Sequence, residues 1–249
     1  MCGICGCSEE HNEMEHHDGH GHKHAHTAHD EHLIHVEQNI LAKNQQFARH
    51  NKGFLATKNI LALNIMSSPG SGKTTLLAKT ILDLKQELDI TVVVGDQQTQ
   101  YDAELIQASG GNALQINTGK ICHLDAHMVG HALEDLTLQE NSLLFIENIG
   151  NLVCPALFDL GEQFKVVILS VTEGDNKPLK YPDMFRCADL MIITKMDLLP
   201  YVNFNLELCI KYARQIKPDI ETLTLSASNG EGLNSWYEWL KQKHMNNRV

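Results

Sequence analysis

The chain reads as an α/β fold, a mostly parallel sheet covered by helices on both faces, behind an N-terminal arm. Three observations predict it. Short apolar runs alternate with helix-length segments from residue 60 onward. A glycine-rich loop, Ser67-Ser68-Pro69-Gly70-Ser71-Gly72-Lys73-Thr74, joins the first run to the helix behind it. Residues 1–35 hold ten of the fifteen histidines and show no apolar face of either period.

The arm opens with Cys2, Cys5 and Cys7 in Cys-x-x-Cys-x-Cys spacing, then a histidine run through His26 broken by Asp, Gly and Ala. Thiolates and imidazoles favour zinc, nickel and copper over magnesium or calcium. Gly3 and Gly6 let the three thiols fold around one ion. Without metal, residues 1–35 are expected to be disordered. They carry −6 of the net charge of −11. An acidic chain with no basic stripe argues against nucleic acid as a partner. No apolar run approaches the roughly 20 residues of a membrane span, and no signal-type apolar segment opens the chain. Seven cysteines, three of them clustered, suit a reducing cytoplasm.

Residues 36–249 of the 249-residue chain read as one domain. A helix is expected over 36–52, with Val36, Ile40, Leu41, Phe47 and Ala48 on one side, packed on the domain edge or another subunit. Strands are expected at 60–66, 90–94, 112–116, 142–147, 165–171, 189–194 and 221–225. Helices fit at 73–88, 101–108, 122–137, 203–217 and 231–243. In such sheets, ligands sit beyond the carboxyl ends of the strands.

The loop after the first strand is a phosphate site. Its glycines let backbone amides turn toward phosphate oxygens, and the helix start adds a favourable dipole. Ser68, Gly70, Ser71, Gly72, Lys73, Thr74 and Thr75 are the candidate contacts. Lys73 would bridge the terminal phosphates and the Thr74 hydroxyl would ligate magnesium. The architecture is therefore that of a P-loop NTPase. Ser67 stands where the pattern has its first glycine, a position that only starts the turn.

Two acidic strand ends follow. Asp96 closes Val94-Gly95-Asp96, where a carboxylate could hold magnesium's water shell or orient the attacking water. Glu147 opens Glu147-Asn148-Ile149-Gly150, a carboxylate followed by a hinge glycine suited to sensing the terminal phosphate. Thr74, Asp96 and Glu147 are the candidate magnesium set, and with Lys73 the candidate catalytic set. Taken singly, each acid could equally cap a helix or face water.

Thr194-Lys195-Met196-Asp197 separates guanine from adenine. Asp197 could accept from guanine N1–H and the 2-amino group, a pair adenine cannot offer. Lys195 would lay its stem along the base. The segment resembles the guanine-recognition motif Asn-Lys-x-Asp, with Thr194 in place of the usual Asn, which loses one loop-holding amide. Ser226-Ala227-Ser228 would bring backbone amides to the base carbonyl.

A second metal constellation lies inside the domain. Cys122 and His123 are expected at a helix start, which favours the thiolate. Cys154 could join them if its loop moves. Two copies across a symmetric dimer would supply four ligands. His127 and His131 follow at i+4 spacing and read as surface or interface histidines; Cys187 and Cys209 read as plain buried cysteines.

Together these motifs resemble the HypB family of hydrogenase nickel-incorporation GTPases. The match covers the Cys-x-x-Cys-Gly-Cys start, the histidine stretch, Ser-Ser-Pro-Gly-Ser-Gly-Lys-Thr, Gly-Asp-Gln-Gln-Thr, Thr-Gly-Lys-x-Cys-His-Leu-Asp, Glu-Asn-Ile-Gly-Asn-Leu-Val-Cys-Pro and Glu-Gly-Asp-x-Lys-Pro. The resemblance implies a cytoplasmic GTPase using GTP/GDP and Mg2+ that dimerises with GTP and passes Ni2+ toward a [NiFe] hydrogenase large-subunit precursor. It also implies a Zn2+-binding partner of the HypA type and a shared role in urease maturation. Its metal roles fall on Cys2, Cys5 and Cys7 in the arm and Cys122, His123 and Cys154 in the domain. Two other readings remain: a nickel or zinc store with a regulatory nucleotide site, and a urease-type nickel GTPase, from which the Cys-x-x-Cys-Gly-Cys start points away.

Overall fold

A computed structural model describes residues 26–97 and 101–247, so the arm ligands Cys2, Cys5 and Cys7 and the arm's expected disorder before residue 26 lie outside the described residues. Seven strands form one sheet: β1 (Leu61–Ser67), β2 (Ile90–Asp96), β3 (Asn112–Asn117), β4 (Leu143–Glu147), β5 (Phe164–Ser170), β6 (Leu190–Thr194) and β7 (Glu221–Thr224). Their order is β3-β2-β4-β1-β5-β6-β7, and every pairing is parallel. Each falls within two residues of its expected run. Parallel strands buried on both faces read as continuous apolar stretches, and β1, β4 and β6 are buried at every position.

Side-chain alternation divides the core. Leu61, Leu63 and Ile65 of β1 face one side, packing with α2 (Lys73–Leu84), α3 (Tyr101–Ala108) and α8 (Leu233–Asn246). Ala62 faces the other side, with α1 (His26–Thr57) and α4 (Ala126–Asp135). Met66 joins that second side beside α6 (Pro182–Cys187) and α7 (Leu206–Ile216). The remaining short helix is α5 (Lys177–Lys180). Helices thus cover both faces, as the alternation predicts.

The differences lie in the helices. α1 starts at His26 rather than near 36, so positions 35 and 36, the expected border between arm and domain, are neighbours within one helix. No Gly or Pro interrupts the chain between Gly21 and Gly53, and Ala, Leu, Glu and Gln favour helix throughout. Its packing face differs in part. Ala48 is buried and Leu41 packs on the core as expected, but Val36 and Ile40 are exposed, and Asn44, Asn51 and Leu55 also turn inward.

The two asparagines explain that choice. Asn44 Nδ2 donates to Asp159 O at 2.8 Å and its Oδ1 accepts from Ala126 N at 2.8 Å. Asn51 Nδ2 donates to Ala126 O at 2.7 Å and Leu160 O at 2.9 Å. α1 therefore satisfies buried backbone groups of two loops that would otherwise cost about 1–3 kcal/mol each to leave unpaired. Gly161 is required there: a Cβ would stand 2.7 Å from that of Asn51, and its φ is +96°.

α4 begins at Ala126, not 122. Asp125 is its N-cap, its side chain accepting from Met128 N at 2.8 Å. Cys122 and His123 accordingly sit in the loop before the helix rather than at its start. α5 and α6 occupy a stretch expected to lack helix; both carry Pro in their first turn, where its missing N–H costs nothing.

Candidate functional site

The carboxyl ends of β1, β2, β4 and β6 converge on one cleft of about 570 Å³, lined by Gly72, Lys73, Thr74, Asp96, Glu147 and Lys195 among others. Gly70 and Gly72 take φ of +72° and +94°, which turns the loop between β1 and α2. Lys73 Nζ is buried and donates to Ser67 Oγ at 2.8 Å, while Ser67 Oγ donates to Ser68 O at 2.6 Å. Ser67 is thus more than a turn residue: it gives the lysine a partner inside the loop. Burial pushes the Lys73 ammonium down from its ordinary value, against the pull of Glu147.

Glu147 is 2% exposed. Thr74 Oγ1 donates to its Oε1 at 2.7 Å, whereas its buried Oε2 accepts no hydrogen bond among the described residues. Burial pushes its carboxyl up to about 7, opposed by Lys73 and the Thr74 hydroxyl. A buried carboxylate oxygen left without a donor, beside a hydroxyl and below an amide-lined loop, fits a divalent cation bound to a polyphosphate. Asp96 ends β2 at the same cleft, and its Oδ1 accepts from Gln97 N at 2.5 Å.

The candidate base loops are tied to this site. Thr194 Oγ1 donates to Ser71 O at 2.6 Å. The loop-holding bond expected to vanish with the Asn is therefore made by the threonine hydroxyl. Lys195, at φ +59°, donates from Nζ to Gly70 O at 2.7 Å. Asp197 Oδ1 accepts from Ser226 Oγ at 2.5 Å. The Ser226 N–H is already donated to Glu231 O at 2.8 Å, so its hydroxyl rather than its amide faces the candidate base site; Ala227 follows it, half-buried.

Cys122, His123 and Cys154 come together without any loop movement. The two Sγ atoms stand 3.1 Å apart, and Cys122 Sγ is 3.9 Å from His123 Nδ1. All three ligand atoms lie within 4.8 Å of one another. Burial holds the His123 imidazole below its usual value, which favours the neutral form that binds metals. Its ring stacks on Phe158 at 4.0 Å between centroids. The trio joins two loops, one after β3 and one after β4, that flank the end of β2. Cys209 is buried as expected and Cys187 only half-buried; burial raises both thiols, that of Cys209 to about 12, in keeping with inert cysteines.

A profile described as "CobW/HypB/UreG, nucleotide-binding domain" matches residues 61–224. Hydrogenase maturation factor HypB of Rhizobium leguminosarum bv. viciae is 59% identical over 211 residues, 85% of this chain and 71% of that one. The HypB crystal structure from Archaeoglobus fulgidus superposes with a TM-score of 0.77 at 39% identity, covering 82% of this chain and 99% of that one. HypB from Helicobacter pylori, crystallised in complex with nickel, gives 0.79 at 40% identity, covering 82% and 96%. The chain belongs to the HypB family. It is accordingly a GTPase of the hydrogenase maturation class, built on the P-loop fold. No helix among the described residues is long and apolar enough to cross a membrane.

Some residues of this HypB-family site escaped the sequence reading. Asp102 and Tyr101 of α3 line the cleft, just past the Gly-Asp-Gln-Gln-Thr run. Asn148 joins both candidate sites: its Oδ1 accepts from Leu124 N at 3.1 Å, and its Nδ2 donates to Asn64 Oδ1 at 3.3 Å. Asn64 Nδ2 in turn donates to Glu162 Oε1 at 3.2 Å. A further signal was Asn64, a polar residue among the apolar positions of β1.

Proposed function

We propose that this GTPase binds nickel and hands it to the large-subunit precursor of a [NiFe] hydrogenase, GTP hydrolysis gating the transfer. One observation carries the proposal. Glu147 faces the nucleotide cleft, and the next residue, Asn148, holds the loop bearing Cys122 and His123. Cys154 follows Glu147 on the same connection. The nickel found with the Helicobacter pylori relative supports the choice of ion.

The roles follow from the geometry. Lys73 leaves Ser67 for the terminal phosphates, and the glycine loop from Ser68 to Thr75 surrounds them with amides. Thr74, Asp96 and Glu147 would hold Mg2+, which would supply charge neutralisation to the phosphates. Glu147 and Thr74, which hydrogen-bond each other, would both be placed to hold such a cation. Asp96 orients the attacking water or the metal's water shell. Asp197, positioned by the Ser226 hydroxyl, accepts from guanine N1–H and the 2-amino group; Lys195 lies along the base, and Ala227 offers an amide to the base carbonyl. Displacement of Glu147 then moves Asn148, and with it Leu124 and the trio.

Cys122, His123 and Cys154 form the internal nickel site, and a second copy of the chain completes the shell. Exposed Ile121, Val153 and Leu157, beside these ligands, supply an apolar rim for that homodimer or for a HypA-type, zinc-binding metallochaperone. Residues 1–35, with Cys2, Cys5 and Cys7, act as a collecting arm for nickel or zinc in the cytoplasm ahead of the GTPase domain, 36–249. Service to urease as well has one specific support: a Helicobacter hepaticus relative, 39% identical over 218 residues, is named a hydrogenase/urease maturation factor.

The test is nickel affinity of the full chain carrying Cys2→Ser, Cys5→Ser and Cys7→Ser, read by thiolate-to-nickel absorbance, with GDP and with a non-hydrolysable GTP analogue. Delivery predicts a difference of about 5- to 150-fold, the usual span of allosteric coupling. Equal affinities would leave a storage protein.

A further inference from the structure

Three buried polar side chains run diagonally across the sheet, over the neighbouring strands β4, β1 and β5. Asn148 stands just past the carboxyl end of β4, Asn64 in the middle of β1 and Glu162 just before β5. Asn148 Nδ2 donates to Asn64 Oδ1 at 3.3 Å, and Asn64 Nδ2 donates to Glu162 Oε1 at 3.2 Å. Glu162 Oε2 accepts from Leu160 N at 2.7 Å, and Lys165 Nζ stands 3.7 Å from Oε1 as a counter-charge. Burial pushes the Glu162 carboxyl up, against the pull of Lys165.

Each link has only one polarity. Asn148 Oδ1 already accepts two backbone N–H groups, of Leu124 and Ile149, so its amide nitrogen must face Asn64. Asn64 then has to accept from Asn148 and donate onward. Leu160 N meets the other oxygen of Glu162, so the chain must end on a group that accepts at both atoms. A carboxylate does so and a carboxamide does not. A buried polar network of this kind, satisfied from end to end, fixes one arrangement of the segments it joins.

The ends of the chain hold the two candidate sites. Asn148 fixes Ile149, and Gly150 beyond it lies so close to the phosphate loop that a Cβ would stand 2.9 Å from Pro69 Cα. Glu147 is the neighbour on the other side. At the far end, Leu160 follows Phe158, the ring on which His123 stacks, and Lys165 Nζ donates to Phe158 O at 3.5 Å.

We infer that Glu162 is a positioning residue for GTP hydrolysis: touching no substrate, it acts through Asn64 and Asn148 to hold the Glu147–Gly150 loop in the register that the terminal phosphate and its cation require. This rests on the reading of Glu147 given above. An asparagine in the middle of a buried strand adds nothing to apolar packing. Its place is explained by the carboxylate behind it and the loop ahead of it.

Exchanging the polarity of one link tests this on the full chain. In Glu162→Gln, an amide nitrogen is set against a donor. In Asn64→Asp, two carboxylates face each other. In the double variant, Asn64→Asp with Glu162→Gln, the carboxylate at position 64 accepts from Asn148 and from the amide at position 162, whose oxygen accepts from Leu160 N. Every contact is then restored, the middle one reversed, with the same number of carboxylates. Steady-state GTP hydrolysis at pH 8 with Mg2+ gives kcat and KM, and titration with fluorescent GDP gives nucleotide affinity. Each single variant should lose up to about 100-fold in kcat, the scale of a small misplacement of reacting groups, with KM for GTP and GDP affinity unchanged. The double variant should recover most of that loss. Should a single variant fail to fold, recovery of folding and of kcat together in the double variant supports the inference. Glu147→Gln controls for the site itself: a parental rate there would overturn the reading of that carboxylate, and Glu162 would still stand or fall on the exchange. Parental kcat in both single variants, a double variant as slow as they are, or GDP affinity that falls in step with kcat would each overturn the inference.

Discussion

Asn148 Oδ1 accepts the backbone N–H of Leu124 at 3.1 Å, across a gap of 24 residues in the chain. The same oxygen accepts Ile149 N at 3.0 Å. One side-chain amide thus fixes both the strand end bearing Glu147 and the loop bearing His123. Asn148→Ala leaves the buried Leu124 N–H unpaired, which costs about 1–3 kcal/mol of stability. It should also make nickel affinity indifferent to the nucleotide. Calorimetric melting and nickel titration with each nucleotide check the two effects. Full coupling in the variant would route communication elsewhere.

Ser67 competes with phosphate for Lys73. The lysine's bond to Ser67 Oγ, at 2.8 Å, must be given up before it can reach a nucleotide. Ser67→Ala should therefore tighten GTP and GDP alike, by up to about tenfold, the order of one hydrogen bond. Fluorescent-nucleotide titration reads this directly. Weaker binding would show that Ser67 helps to hold the nucleotide rather than its absence.

Asp197 should decide the base. Its Oδ1 is held by Ser226 Oγ, so the carboxylate is preset before guanine arrives. Asp197→Asn should weaken GTP and favour xanthosine triphosphate, whose 2-oxo group meets an amide donor in place of the lost acceptor. A hydrogen-bonding site commonly rejects an analogue lacking its partner by large factors, about 10⁴ in the best cases. Equal turnover of GTP by the variant would remove Asp197 from the base site.

The strands were legible because both faces of a parallel sheet are covered, so each strand is an unbroken apolar run such as Leu143-Leu144-Phe145-Ile146. The phosphate loop was legible because its glycines, lysine and threonine serve one chemistry at fixed spacing. Helix faces were harder. α1 turns Asn44 and Asn51 inward to satisfy loop backbone, and an apolar-periodicity rule assigns such residues to solvent. The start of α4 was displaced because Asp125, not the residues before it, supplies the cap. The meeting of Cys154 with Cys122, 32 residues apart, depends on β3 and β4 standing on either side of β2, and strand order is not written in local spacing. The Thr194 substitution was misjudged for a different reason: a hydroxyl one atom shorter than the amide reaches Ser71 O only because the two loops lie close.

Glu147 should give the empty protein a distinctive pH dependence. Its carboxyl is raised from 4.5 to about 7 by burial, so between those values the folded chain binds more protons than the unfolded one. This contribution to stability is fully present below about pH 4.5 and is lost as pH rises through about 7. At 1.36 kcal/mol per unit, the loss is on the order of 3 kcal/mol. Glu147→Gln removes the slope, because a glutamine does not titrate. Lys73, pushed down by burial and held up by Glu147, loses its foremost counter-charge in the variant, so the net gain at high pH is smaller than that figure. The expected result, without nucleotide and in chelator, is a Tm difference between variant and parent that shifts in the variant's favour from pH 5 to pH 8. GTP hydrolysis by the variant should be lost across the same range. Because every other titrating group is common to the two proteins, the difference isolates Glu147 and its effect on Lys73. Parallel Tm curves would show that the carboxyl titrates as an ordinary glutamate, and that its buried Oε2 is satisfied before any cation arrives.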